Sequence, residues 1–473
     1  MDILSVNSLD FNGGSGLFAS LEAQAHQKGC QAAREALREK MEQLDEAIMK
    51  NRNKRLFRCI NIRESTVKTI MGEVSYRRRC YKITDDRNGY TFLLDEYLGL
   101  GNGLFSESLK DMVVNECLNM SFRKAACAVS TMTNQSISHG EAWNILQERG
   151  AKLVTQEERL AAHNEKHGLR GDLETKVLFE EMDGVWLSMQ GKDRPKKTGK
   201  REIKVATHYS GWKKTAQDRY GTVGKISYAG FDEPDEFHKK REAQVARYYN
   251  TDEIDVRVLS GDGANWIRGT DEDVIMQLDP FHRSRAIMRG LPDKAVRAHV
   301  NRLLKDRKVT EALRYIADMK ESVVGSKEKE RICKLYKYLS DNKDTLLTWK
   351  ERGVELPAPP AGIVYRCLGT QEHSNCVLIT NRMKRRNASW GIKGGGHMAK
   401  LINLRATLKS VGRLVFTELV FSQTPAPLSV AKTPKYDGKG CDGGLPHGGW
   451  PFENTFVTES RKAMKDIFHI KLK

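Results

Sequence analysis

The chain has 473 residues, more than one ordinary hydrophobic core accommodates, so several domains are expected. An apolar content of 39% with 30% charged residues excludes wholesale disorder, and a net charge of +18 points to a polyanionic partner. No apolar run reaches the ~18 residues of a membrane span, and the N-terminus lacks a signal-peptide pattern, so a cytoplasmic protein with no membrane partner is expected. The 9 cysteines include no C-x-x-C pair, which speaks against a zinc ribbon or a disulfide framework.

In chain order, residues 1–13 are polar and Gly-rich and expected to be loose. Residues 15–56 carry Leu21, Ala25, Ala32, Ala36, Met41 and Leu44 at roughly helical period, predicting one or two long amphipathic helices in a segment ending near 58. Within 59–104, the β-branched runs Thr66–Ile70 and Val74–Arg77 flank Met71-Gly72-Glu73, a hairpin signal whose second arm carries Arg77, Arg78 and Arg79.

Residues 105–172 return to helix. A short Ala-rich helix from Phe122 to Ser130 and a polar turn precede Ser138, which with Glu141 forms a capping box. Helix, turn and capped helix outline a helix-turn-helix, although a plain helical hairpin has the same outline. Residues 151–172 are read as a polar helical linker.

Between 173 and 289 the pattern changes to strands: Val177–Leu187, Ile203–Tyr209, Gly224–Tyr228, then a charged helix over 233–249, strands at Val256–Leu259 and Val274–Leu278, and a short helix between them. Three strands followed by helix, strand, helix and strand form the ribonuclease-H-like arrangement, an α/β fold with a mixed sheet. Residues 290–360 form an all-helical insertion closed by Pro357-Ala-Pro-Pro360. Helical pattern resumes near 371 within a segment 361–422 that completes the core, and 423–473 is a Pro/Gly-rich extension.

Three carboxylates stand out. Asp183 lies inside an apolar strand, sharing a face with Val177, Phe179, Val185 and Leu187, where a charge is costly unless paired or metal-bound. Asp262 ends the fourth strand between Gly261 and Gly263. Glu372 follows Thr370, a possible cap, and recurs with Cys376, Ile379 and Met383 at helical spacing, so this face should meet the sheet and aim Glu372 at the two aspartates. Three hard oxygen ligands on one point suit two Mg²⁺ ions, which hold the attacking and leaving oxygens of a phosphodiester displacement. Just after the fifth strand, His282 and Arg285 in Leu278-Asp-Pro-Phe-His-Arg-Ser-Arg285 are placed to contact a phosphate.

The ordered set of Glu-Met-Asp183-Gly-Val-Trp, Ser-Gly-Asp262-Gly-Ala-Asn-Trp-Ile, Leu-Asp-Pro-Phe-His282-Arg-Ser-Arg, Gly369-Thr-Gln-Glu372, Arg382-Met-Lys-Arg-Arg-Asn-Ala-Ser-Trp390 and Gly394-Gly-Gly-His-Met-Ala399 resembles bacterial insertion-sequence transposases of the DDE type. That family is long catalogued as uncharacterised and is related to the Mutator-like superfamily. The resemblance runs from about residue 60 to 420. It implies a ribonuclease-H-like catalytic domain with an all-helical insertion, preceded by a helical and β-hairpin DNA-binding region. It further implies Mg²⁺-dependent cleavage and strand transfer, with Mn²⁺ able to substitute.

The implied partners are double-stranded DNA, both terminal inverted repeats and target, and further copies of the chain in a dimer or larger assembly at the bacterial nucleoid. The family's carboxylates map onto Asp183, Asp262 and Glu372. Asp279 and His282 resemble a Cys-x-x-His element with aspartate in the cysteine's place, and Gln371 stands where relatives often carry Met and should face away from Glu372. Arg382, Arg385 and Arg386 are expected on one side of their helix, opposite Cys376 and Ile379, and contacting phosphates together with Lys384 and Lys393. Two rival readings remain: a DNA-binding regulator with a dead catalytic domain, and a nuclease that does not transfer strands.

Overall fold

A proline-free run rich in Ala, Glu, Lys and Gln winds into a single 35-residue helix, α1 (Leu17–Asn51), in a computed structural model. The structure describes residues 17–84, 89–100, 104–268, 274–323, 325–385 and 387–412; the expectations for 1–13, Arg386 and 423–473 lie outside these. The described chain falls into two compact units, divided between Ile145 and Leu146.

In the first unit the hairpin forms as expected. Strand β1 (Phe57–Thr69) pairs antiparallel with β2 (Gly72–Ile83), which also takes the short β3 (Tyr90–Thr91). Gly72 at the turn has φ +115, a conformation that a side chain would strain. Only the C-terminal part of α1 is buried; there Met41, Leu44 and Ile48 pack on Val74, Tyr76 and Tyr81 and on α2 (Leu93–Leu98). The hairpin arginines are tied internally: Arg79 pairs with Asp45 and Glu46, and Arg78 with Asp95. Helices α3 (Glu107–Asn119) and α4 (Phe122–Thr133) follow. The predicted capping box then opens α5 (His139–His167): Glu141 N–H donates to Ser138 Oγ at 3.1 Å, and Ser138 N–H to Glu141 Oε2 at 2.6 Å. The helix runs on to His167 through the segment read as a linker, and its residues from Leu146 onward belong to the second unit.

The second unit is a mixed α/β structure. Its strands are β4 (Val177–Ser188), β5 (Lys200–Tyr209), β6 (Gly211–Ala216), β7 (Arg219–Val223), β8 (Ile226–Gly230), β9 (Val256–Gly261) and β10 (Val274–Leu278). Five make one sheet in the order β10-β9-β4-β5-β8, with β10, β9 and β4 parallel and β5 antiparallel to both its neighbours. The β6–β7 hairpin, not anticipated from sequence, forms a separate pair between β5 and β8.

Helix α6 (Pro234–Tyr248) and the short α7 (Asn265–Arg268) contribute Phe237 and Ile267 to a core on Met182, Ala206 and Leu259. On the other face Val177, Phe179, Tyr209 and Val258 meet Trp349 and Leu368. Because both faces are covered, the first nine residues of β4 include no exposed one, and the three carboxylates among them, Glu180, Glu181 and Asp183, are buried with the rest. After α8 (Pro280–Gly290), helices α9 (Lys294–Lys305), α10 (Val309–Ser322), α11 (Ser326–Asp341) and α12 (Trp349–Arg352) fill the predicted all-helical stretch, and α8 to α11 share a core that includes Ile287, Val300, Ile316 and Leu335. The chain then passes through α13 (Gln371–Asn375), a π-helical segment Cys376–Lys384, and α14 (Ile392–Ser410).

Candidate active site

Strand register brings the carboxylates together. The β4–β9 pairing ends with Met182 opposite Gly261, and the β9–β10 pairing with Gly261 opposite Leu278. The next residue on each of the three parallel strands is an aspartate: Asp183, Asp262 and Asp279. Neighbouring strands lie about 4.8 Å apart, so these residues share one rung of the sheet. No two of them are close in sequence.

Asp183 is 6% exposed. Its Oδ1 accepts from Gly184 N–H at 2.8 Å and its Oδ2 from Asn375 Nδ2 at 2.6 Å. Burial, with the Asp262 charge adding to it, pushes the Asp183 carboxyl up to about 6, against the opposing pull of His282. Asp262 closes a turn by accepting from Ala264 N–H at 2.9 Å, and its carbonyl accepts from Tyr338 Oη at 2.8 Å. Gly263 beside it has φ +86, and a Cβ there would lie 2.4 Å from Asn342 Oδ1, so both conformation and space demand glycine.

Asp279 caps α8 by accepting from Phe281 N–H, and its other oxygen holds His282 Nδ1 at 2.8 Å. That contact turns His282 Nε2 towards Asp183 Oδ1, 3.9 Å away. Burial alone would lower the His282 pKa, but Asp279 and Asp183 outweigh it and raise it. The aspartate in the place of a cysteine therefore orients the histidine.

Glu180 and Glu181 turn to opposite faces of β4. Glu180 is buried against His208, Arg241 and Arg257. Glu181, fully buried, accepts from Tyr209 Oη at 2.6 Å, Thr370 Oγ1 at 2.5 Å, Thr370 N–H at 2.8 Å and Gln371 N–H at 3.1 Å. It thereby ties the start of α13 to the central strand. Sequence reading overlooked this residue, although a Glu-Glu pair inside an apolar strand was the available signal.

The helix carrying Glu372 is phased differently from the expectation. Gln371, Ser374 and Asn375 are buried, and Gln371 accepts from Thr207 Oγ1 at 2.9 Å, whereas Glu372 is exposed. Gln371 does turn away from Glu372, but it is Gln371 that meets the sheet. The Thr370 hydroxyl binds Glu181 instead of capping the helix. Among the described residues no three His, Cys, Asp or Glu side chains gather closely enough to hold a metal ion, so Glu372 does not converge with the two aspartates as predicted.

The physical reason is winding. Residues 376–384 form a π-helix, whose wider i→i+5 turn breaks the 3.6-residue phase used to place Glu372 with Cys376, Ile379 and Met383. The same winding displaces the basic run. Arg382 lies over the Trp390 ring with 5.4 Å to its centroid, and Arg385 Nη2 lies 3.8 Å from Cys376 Sγ, on the cysteine's side and not opposite it. Lys384, Arg385 and Lys393 are exposed, and so is Arg285.

Asp183 and Asp262 suit a divalent cation, because two carboxylates on adjacent strands, one of them buried and difficult to ionise, are relieved by a positive charge between them. Glu372, one helical turn before Asn375, is the nearest carboxylate in sequence to the amide that holds Asp183.

Residues 14–415 match an uncharacterised protein family, UPF0236. Among its relatives, a UPF0236 protein in the vanSb 3' region of Streptococcus gallolyticus is 24% identical over 379 residues, 78% of each chain. A UPF0236 protein of Caldanaerobacter subterraneus subsp. tengcongensis is 22% identical over 378 residues, covering 78% of this chain and 74% of its own. Another from that organism is 21% identical over 378 residues, covering 78% and 73%, and its name joins eleven locus designations.

Proposed function

The chain belongs to the uncharacterised family UPF0236, and from that membership and the geometry of its aspartates we propose that it is a DNA transposase, cutting and joining strands at the ends of its own element. The observation that carries this reading is the placement of Asp183 and Asp262 side by side on parallel neighbouring strands. They lie at the middle of a sheet whose strands, counted in chain order without the β6–β7 hairpin, run third, second, first, fourth, fifth, with the second antiparallel. That order supports the ribonuclease-H-like reading of the sheet. A relative whose name joins eleven loci of one genome adds support, since a self-moving element leaves such copies.

Asp183 and Asp262 are the residues that would hold Mg²⁺, or Mn²⁺ in its place, and a bound metal would activate the attacking oxygen and stabilise the leaving one; Glu372, the third carboxylate expected there, does not join them in this structure. Asp279 orients His282, which adds positive charge beside the scissile phosphate. Arg285, Lys384, Arg385, Arg386 and Lys393 bind flanking phosphates, so affinity falls steeply with salt. The α4–α5 pair reads the terminal repeat, and a second copy serves the second end. Such a protein acts in the cytoplasm on the nucleoid.

The test uses the purified full chain, labelled duplex carrying the ends of its element, and Mg²⁺. Wild type cleaves and joins, and Asp183→Asn or Asp262→Asn lowers the rate by on the order of a thousandfold or more. A wild-type rate in either variant refutes the assignment. Binding without cleavage by the intact chain would favour the regulator, and cleavage without joining the nuclease.

A further inference from the structure

Helix α8 begins one residue after Asp279 and carries two opposed faces. Ile287 and Gly290 are buried, and a Cβ on Gly290 would press within 2.6 Å of Leu335. The other face shows Phe281 at 43% and Met288 at 59% exposure, with Ser284, Arg285 and Arg289 exposed around them. Spacings of three, four, seven and eight residues from Phe281 place all five on one side of the helix. Burying a Phe and a Met normally stabilises a fold, so a helix that displays both beside a rung of aspartates holds them for something else.

The two arginines specify the occupant. Arg285 lies over the Phe281 ring, 5.8 Å from its centroid, and neither Arg285 nor Arg289 makes an ion pair among the described residues. An apolar docking partner would leave both guanidiniums facing an uncharged surface. A duplex would satisfy them but leave the aromatic ring and the thioether without a counterpart, since its bases are stacked inside. Unpaired nucleotides satisfy both, with bases against Phe281 and Met288 and phosphates at Arg285 and Arg289.

We propose that this face of α8 binds the single strand of DNA that leaves the carboxylate site, stacking unpaired bases on Phe281 and Met288. The inference rests on the transposase reading and adds to it a binding site for a frayed or already cut strand.

The test measures affinity of the full chain for a blunt duplex and for the same duplex with a single-stranded tail containing 2-aminopurine. Wild type should prefer the tailed duplex by on the order of tenfold and change the 2-aminopurine fluorescence on binding. Phe281→Ala/Met288→Ala should bring the ratio of the two affinities to about one and abolish the fluorescence change. Because both side chains are exposed, thermal unfolding should be unaltered and serves as the folding control. A double variant that keeps the tail preference and the fluorescence change overturns the proposal. So does one that leaves both intact and alters only the oligomeric state in light scattering, which would make the face a contact between copies. Equal affinity of wild type for both duplexes overturns this inference alone; no affinity for either overturns the transposase reading with it.

Discussion

Asp183→Asn should stabilise the metal-free protein while abolishing the strand cleavage proposed for it. Inside the fold this carboxyl is pushed from the usual 3.8 up to about 6, chiefly by burial. At 1.36 kcal/mol per pH unit, holding it ionised at neutral pH costs the native state about 3 kcal/mol relative to the unfolded chain. An asparagine has the same shape and no charge, so that cost disappears. One hydrogen bond opposes the gain: the new amide would face Asn375 Nδ2, which now donates to Asp183 at 2.6 Å, a loss of about 1 kcal/mol. The expected net is a gain of about 2 kcal/mol. The sign with pH follows from the raised value. Asp183 supports the native state below about pH 4, and that support is lost as pH rises through about 6. Urea unfolding of both proteins in a chelator, at several pH values, measures this. The difference should open across that interval and then stay level, and Mg²⁺ should raise the melting temperature of wild type but not of the variant. A variant less stable than wild type at neutral pH, or a difference that does not change with pH, refutes the reasoning.

Glu181→Gln keeps the volume but sets an amide among donors from Tyr209, Thr370 and Gln371. It should cost about 2–4 kcal/mol, and amide exchange should rise first at residues 370–375; unchanged protection there would remove Glu181 as the anchor of the Glu372 helix. Ser138→Ala deletes the acceptor for Glu141 N–H and should lower stability by about 1 kcal/mol in denaturant unfolding, with little change if the cap is solvated rather than structural.

Much of the fold was legible because its signals are local. The long α1, the hairpin around Gly72, the capping box at Ser138 and the strand β4 each follow from residues within a few positions of one another. The β6–β7 hairpin was missed because Lys213, Lys214 and Arg219 give it no apolar alternation. In the candidate site, Asp183 and Asp262 stood out by placing a charge in or at the end of an apolar strand, and the structure brings them to neighbouring strands.

What the sequence alone determined, then, is which segments are strands and helices and which acids sit where an acid is costly. Tertiary structure decided the rest. Asp279 joins the rung only because β10 lies parallel to β9 with Leu278 opposite Gly261, a pairing that no local pattern specifies. The direction of Glu372 depends on two non-local facts: its helix start is tied to Glu181, 189 to 190 residues earlier, and the turns after it are wound as a π-helix. Hydrophobic period reports the face of a regular helix, and it fails where buried polar bonds set the phase instead.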